Sequence, residues 1–191
     1  NCKLNINLKK QTDGSSPYCI MSIFAALATK ATSPKVELVN TDIEINGAAS
    51  SSAGRISNPF AYLFSKIGAK FYSVSLNQCN IHGTARVDWS LFEQMESVSI
   101  SNSQISIGGC DYHGYYINAP KRLQITGTTF TGRLGKYNTL VSVPNVKDYS
   151  HSIDNTTVDA SVSKLFTTPP DRRHTRTTNV RNPTPNRPIT K

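Results

Sequence analysis

The sequence predicts an all-β fold, a solenoid of about five stacked parallel coils with a short N-terminal helix and an extended C-terminal arm. Three observations predict it: a composition poor in charge, a repeat of apolar pairs, and an amide at one place in nearly every repeat. Only 17% of the 191 residues are charged and 37% are hydrophobic, and Ser, Thr and Asn fill much of the difference. A helical bundle needs Ala, Leu, Glu and Lys instead. Turn-rich β structure suits this mixture.

The repeat appears when five stretches are set side by side: VELVNTDIEI from Val36, VSLNQCNIHG from Val74, VSISNSQISI from Val98, LQITGTTFTG from Leu123 and HSIDNTTVDA from His151. Each has an apolar anchor followed five residues later by another: Leu38/Ile43, Leu76/Ile81, Ile100/Ile105, Ile125/Phe130 and Ile153/Val158. Two residues before each anchor stand Val36, Val74, Val98, Leu123 and His151, of which only the last is not apolar. Two residues after it come Asn40, Gln78, Asn102, Gly127 and Asn155. Helices repeat at three and four, whereas spacing of two and then five, with an amide or Gly between, describes a strand, a bend and a second strand.

The anchors are 38, 24, 25 and 28 residues apart, the interval of solenoids whose units bury their apolar faces against neighbours. Coils would stack at about 4.8 Å. An amide column at the bend could then hydrogen-bond from coil to coil, and Gly fits where a bend needs positive φ. An antiparallel sandwich of short strands is the competing architecture. A third strand per coil is expected around Phe92 and Ile117, each eight residues before its anchor, and at residues 62–67 and 140–143.

On these residues a resemblance rests. INAPKRLQITGTTFTG (117–132) and FEQMESVSISNSQISIGG (92–109) resemble rungs of the right-handed parallel β-helix of the pectate-lyase-like superfamily, and the chain is more similar to part of a bacteriophage tailspike than to a pectinase. The resemblance covers residues 36–160 and is one of pattern, without a catalytic signature. It implies a homotrimer in the phage tail of the virion that binds, or helps depolymerise, host surface polysaccharide.

The ends read differently from the middle. In residues 1–35 a strand and a capping helix are expected, because Ile20, Ile23, Phe24 and Leu27 fall at helical spacing behind Ser16 and Pro17. A similar pattern follows Asn58-Pro59, with Phe60, Leu63, Phe64 and Ile67, beside the Ser-rich stretch 48–54. The coils occupy residues 36–166. Residues 167–191 carry six basic residues against one acid and almost no large apolar ones, so they form a disordered tail or an arm ordered against partner chains. Residues 1–170 hold fifteen basic residues against eleven acids, so the tail supplies over half of the net charge of +9. Arg-rich arms bind phosphate backbones, but this one lacks the aromatics that stack on single strands.

No apolar run has the length of a membrane span. The start, Asn1-Cys2-Lys3-Leu4, has neither Met nor a signal-peptide layout, so a processed end or a fragment is expected. Cys2, Cys19, Cys79 and Cys110 lack CxxC spacing and a suitably placed His, which makes them free thiols rather than zinc ligands. No cofactor is expected, and no GxxxxGK[ST] or GxGxxG loop is present.

Glycoside hydrolysis needs two carboxyls, about 5–9.5 Å apart depending on mechanism. The columns just before and after the anchors, and the one six after, place no acids on adjacent coils. Asp88, Glu93 and Asp111 are expected in loops. The densest group is Cys110-Asp111-Tyr112-His113-Gly114-Tyr115-Tyr116. Sugar faces stack on aromatic rings, and Asp and His bind hydroxyls. Trp89, Asp111, Tyr112, His113, Tyr115 and Tyr116 are therefore the candidate carbohydrate contacts, with the alternative that one or two of the tyrosines pack against the coil edge. His82 and His151 read as coil residues rather than catalysts. The runner-up function is a non-enzymatic virion assembly protein whose arm docks on neighbouring subunits or nucleic acid.

Overall fold

The structure is a computed structural model that describes residues 2–8, 20–26, 35–47, 59–66, 73–109, 115–118, 120–132, 139–143, 149–167 and 175–181. Among these residues there are eighteen strands and no helix, in parallel sheets of eleven and seven strands. The larger sheet is strongly curled. One row holds β3 (Lys35–Val39), β6 (Ser73–Asn77), β9 (Ser97–Ser101), β13 (Arg122–Thr126) and the first half of β16 (Ser150–Val158). The other row holds β1 (Cys2–Leu8), β4 (Thr41–Gly47), β7 (Asn80–His82), β10 (Gln104–Ile105), β14 (Thr129–Phe130) and the second half of β16. The seven-stranded sheet stacks β2 (Ile20–Ala26), β5 (Pro59–Lys66), β8 (Arg86–Glu93), β12 (Tyr115–Asn118), β15 (Thr139–Ser142) and β17 (Lys164–Phe166), with β11 (Gly108–Gly109) also on β8.

The register follows the repeat residue by residue. Leu38 pairs with Leu76, Leu76 with Ile100, Ile100 with Ile125 and Ile125 with Ile153. The second apolar column runs Ile43, Ile81, Ile105, Phe130 and Val158 in the same way. Every one of these pairings is parallel, which excludes the antiparallel sandwich for these strands. Alternation along a strand sends Val74 and Leu76, Val98 and Ile100, Leu123 and Ile125 into the core, and the residues between them outward. The two columns meet the seven-stranded sheet in one continuous core, where Phe64 stacks on Phe92 with centroids 5.3 Å apart.

The corner residues owe their place to backbone geometry. Asn40, Gln78, Asn102, Gly127 and Asn155 all have left-handed φ, between 46° and 58°. Their backbone N–H groups carry the ladder: Asn40 donates to the Asn77 carbonyl, Gln78 to Ser101, Asn102 to Thr126 and Gly127 to Asp154, at 2.9–3.2 Å. The side chains of the four amides are exposed, and the backbone N–H groups link the rungs at this corner. A Cβ on Gly127 would lie 2.6 Å from the Asn102 Oδ1.

One residue after each corner comes a small donor: Thr41, Cys79, Ser103, Thr128 and Thr156, all buried. Each donates back to the carbonyl two residues earlier, at Val39, Asn77, Ser101, Thr126 and Asp154, at 2.7–3.4 Å. This local bond closes the bend and satisfies a polar group inside the core. Cys79 is thus a buried free thiol filling a hydroxyl position.

Three expectations need correction. Residues 20–26 are strand β2, not part of a helix, and pair with β5 through Ile20↔Phe60, Ser22↔Tyr62 and Phe24↔Phe64. Their apolar spacing suits a helix, and pairing with a neighbouring parallel strand overrides it. Residues 59–66 are likewise strand, which overturns the helical pattern after Asn58-Pro59 and agrees with the third strand expected at 62–67; Pro59 takes the first position, where a missing N–H is tolerated. Within the arm, β18 (Thr175–Arg181) stacks on β16, with Ile153 opposite Thr177 and Thr156 opposite Val180. Asn179 repeats the left-handed corner there at φ 50°. That segment extends the sheet of its own chain. The rest of the expected helix, the Ser-rich stretch, Cys19, Cys110 and the flanks of β18 lie outside the described residues.

Candidate functional site

Of the six predicted sugar contacts, Asp111, Tyr112 and His113 lie outside the described residues, as do the side chains of Trp89 and Tyr115, whose backbones belong to β8 and β12. Tyr116 is described and fully buried. Its ring lies 5.0 Å from that of Phe130, and its hydroxyl donates to the Gly132 carbonyl. Burial pushes that phenol far above its ordinary range. Tyr116 is a core residue, the packing alternative open to these tyrosines.

Asp88 and Glu93 stand on strand β8 rather than in loops. Glu93 is buried and accepts hydrogen bonds from the Ser90 hydroxyl at 2.8 Å and the Asn118 amide at 2.9 Å. Desolvation raises its pKa, against the opposing pull of the Asn118, Ser90 and Gln94 side chains. The amide on the neighbouring strand orients the carboxyl within the seven-stranded sheet.

The structure also assembles a polar cluster on the outer face of the second row. Asp42 accepts from Asn80 Nδ2 at 2.8 Å, lies 3.0 Å from His82 Nε2, and faces Lys3 Nζ at 3.8 Å. Glu44, two residues along the same face, accepts from Asn5 and Asn46 at 3.1 and 3.0 Å. Partial desolvation pushes the Asp42 pKa up, but the bonds from Asn80 and His82 and the charges of His82 and Lys3 outweigh it and hold the carboxyl below its ordinary range. A general acid must carry a proton. Asp42 is held ionised, and its bonds to Asn80 and His82 on the neighbouring strand make it part of a polar ladder between rungs. Among the described residues no group of three or more His, Cys, Asp or Glu side chains could hold a metal ion.

A groove of about 420 Å³ lies on the outer face of the first row, across β9, β13 and β16. Its polar lining comes from two columns. Ser97, Arg122 and Ser150 form one, and Ser99, Gln124 and Ser152 the other. Parallel register places each residue over its counterpart, so polar side chains follow one another at about 4.8 Å across the strands, Arg122 and Gln124 on the middle one between serines. Glu96, just before β9, holds Arg122 at 2.7 Å and Lys121 at 3.0 Å. One carboxylate thus serves two cations. The lining itself contains no carboxylate.

Comparison with known proteins finds no matching family, no matching curated protein and no matching solved structure.

Proposed function

We propose that the two sheets are coils of a right-handed parallel β-helix, and that the chain is the polysaccharide-binding part of a tailspike-type trimer in the phage tail. The observation that carries this proposal is the three-rung groove, with its serines, Gln124 and Arg122 at even spacing. Sugar polymers present hydroxyls at regular intervals along an extended chain. A rigid face that repeats small donors and acceptors at a constant step suits such a ligand better than a compact one. Stacked strands also preorganise the lining, which lowers the ordering cost of binding.

Binding rather than cleavage is what the described carboxylates support. The groove lining has none, and Asp42 and Glu44 are occupied by partners on their own and neighbouring strands. The test is equilibrium binding of the full chain to a panel of bacterial capsular and lipopolysaccharide glycans. At least one glycan is expected to bind saturably, and Gln124→Ala combined with Ser99→Ala is expected to weaken it by about tenfold, the loss of one or two net hydrogen bonds. A panel with no bound glycan, or binding indifferent to both substitutions, would refute the proposal.

A further inference from the structure

We infer that the β18 end of the stack is a docking site for a second copy of this chain, arriving head to tail, and that residues 179–181 occupy this site and hold it closed. The site is separate from the groove and owes nothing to sugar binding. Along the chain the strands follow second row, seven-stranded sheet, first row, as in β1, β2, β3 and again in β4, β5, β6. The last such round runs from the second half of β16 through β17 to Thr175–Thr178 of β18. That round is complete, so the next strand due belongs to the second row. Val180 and Arg181 fill the start of its place, opposite Thr156 and Thr157. Asn179 supplies the left-handed corner that leads into it.

Strand β1 fits the same place. It belongs to the second row and pairs only with β4 among the described residues. The column that has Arg181 at one end has Lys3 at the other. In sequence, Asn179-Val180-Arg181 matches Asn1-Cys2-Lys3 as amide, small apolar residue and cation. Leu4, only partly buried on its own rung, then continues the apolar column of Ile43 and Val158. The other two rows fit in the same step. Strand β3 of the incoming copy follows Thr175–Thr178, with the partly buried Val36 and Leu38 in line with Thr175 and Thr177. Glu37 falls in the column of Arg176, which sets opposite charges side by side. Strand β2 follows β17, with Phe24 in line with Phe166. An unrelated strand would match one row, whereas a second copy matches three. Open strand edges invite such pairing, and a solenoid needs a closing element against it.

Two variants open the site. Asn179→Pro in the full chain fixes φ near about −65°, which the corner's φ of 50° excludes. Truncation after Thr178 removes the block outright. The mass of each is followed by light scattering over a concentration series, beside the wild-type chain. Wild type is expected to keep one mass throughout. Both variants should grow with concentration to at least about twice that mass, because a head-to-tail contact does not close on itself. Leu4→Lys, added to either variant, places a charge in the apolar column and should restore the wild-type mass.

Variants that keep the wild-type mass at every concentration overturn the inference. Growth that persists with Leu4→Lys also overturns it, since misfolded chains aggregate without using β1. A wild-type chain that grows as the variants do shows that residues 179–181 block nothing. Where the two variants differ, the truncation decides, because it leaves no residue in the disputed place.

Discussion

At the scale of single residues, the bends depend on a conformation that most side chains resist. Among the described residues six other than Gly hold φ between 46° and 54°, and four of them are Asn. Asn tolerates the left-handed region, whereas most L-residues pay about 1–2 kcal/mol there. Gln78 is the costlier occupant of its column. Gln78→Asn is expected to raise stability by about 0.5 kcal/mol, and Asn102→Val to lower it by about 1–2 kcal/mol, read from urea midpoints. His151 is the other exception, sitting beneath an apolar column and 4.6 Å from the Phe166 ring. Burial depresses its pKa from 6.5 to about 4, so the imidazole is neutral in the fold at neutral pH. The unfolded chain binds the proton more readily. Stability is therefore retained above about pH 6.5 and lost as pH falls towards 4. His151→Val should restore the column and remove roughly 1–2 kcal/mol of that acid sensitivity, as followed by thermal unfolding from pH 7 to 4.

Among the elements, β18 and β2 teach most. β18 covers the outer edge of β16 in parallel register over both halves of that strand. A chain truncated after Thr167 should expose that edge. Its β16 amides are expected to exchange with deuterium at least about tenfold faster, while those of β6 keep their protection. Unchanged exchange in β16 would show that β18 contributes nothing there. Both elements also mark where sequence reading stopped short. Leu38, Leu76, Ile100, Ile125 and Ile153 were legible because each strand carries its own inward pattern. β18 was not, because Thr177 stands where the other rungs have Leu or Ile, and charge and Pro around it signalled a tail. Its Asn179, two residues later, was the available clue. β2 was misread because Ile20, Ile23, Phe24 and Leu27 satisfy a helical wheel, and only the presence of β5 beside it settles the matter. The donor column from Thr41 to Thr156 was also in plain view, hidden by the change from Thr to Cys to Ser.

For the whole molecule, stacking makes neighbours the unit of stability. Leu76 is fully buried between two rungs, whereas Leu38 is only partly buried on a strand with one described partner. Leu76→Ala should cost about 2–5 kcal/mol and Leu38→Ala clearly less, measured by denaturant unfolding. The candidate site was less legible than the frame. Ser99, Gln124 and Ser152 belong to the column just before the anchors, which was searched only for acid pairs, and the Ser97, Arg122 and Ser150 column was not read at all. Outward position follows from alternation, whereas concavity depends on how three strands curl together, which spacing alone does not encode. The uneven intervals between anchors carry a practical consequence. Leu38 meets Leu76 across 38 residues and Leu76 meets Ile100 across 24, yet both pairs stand in step. A scaffold that keeps time by strands instead of by chain length should accept a foreign peptide spliced between Gly47 and Pro59, and so serve as a rod on which new loops are displayed at a fixed pitch.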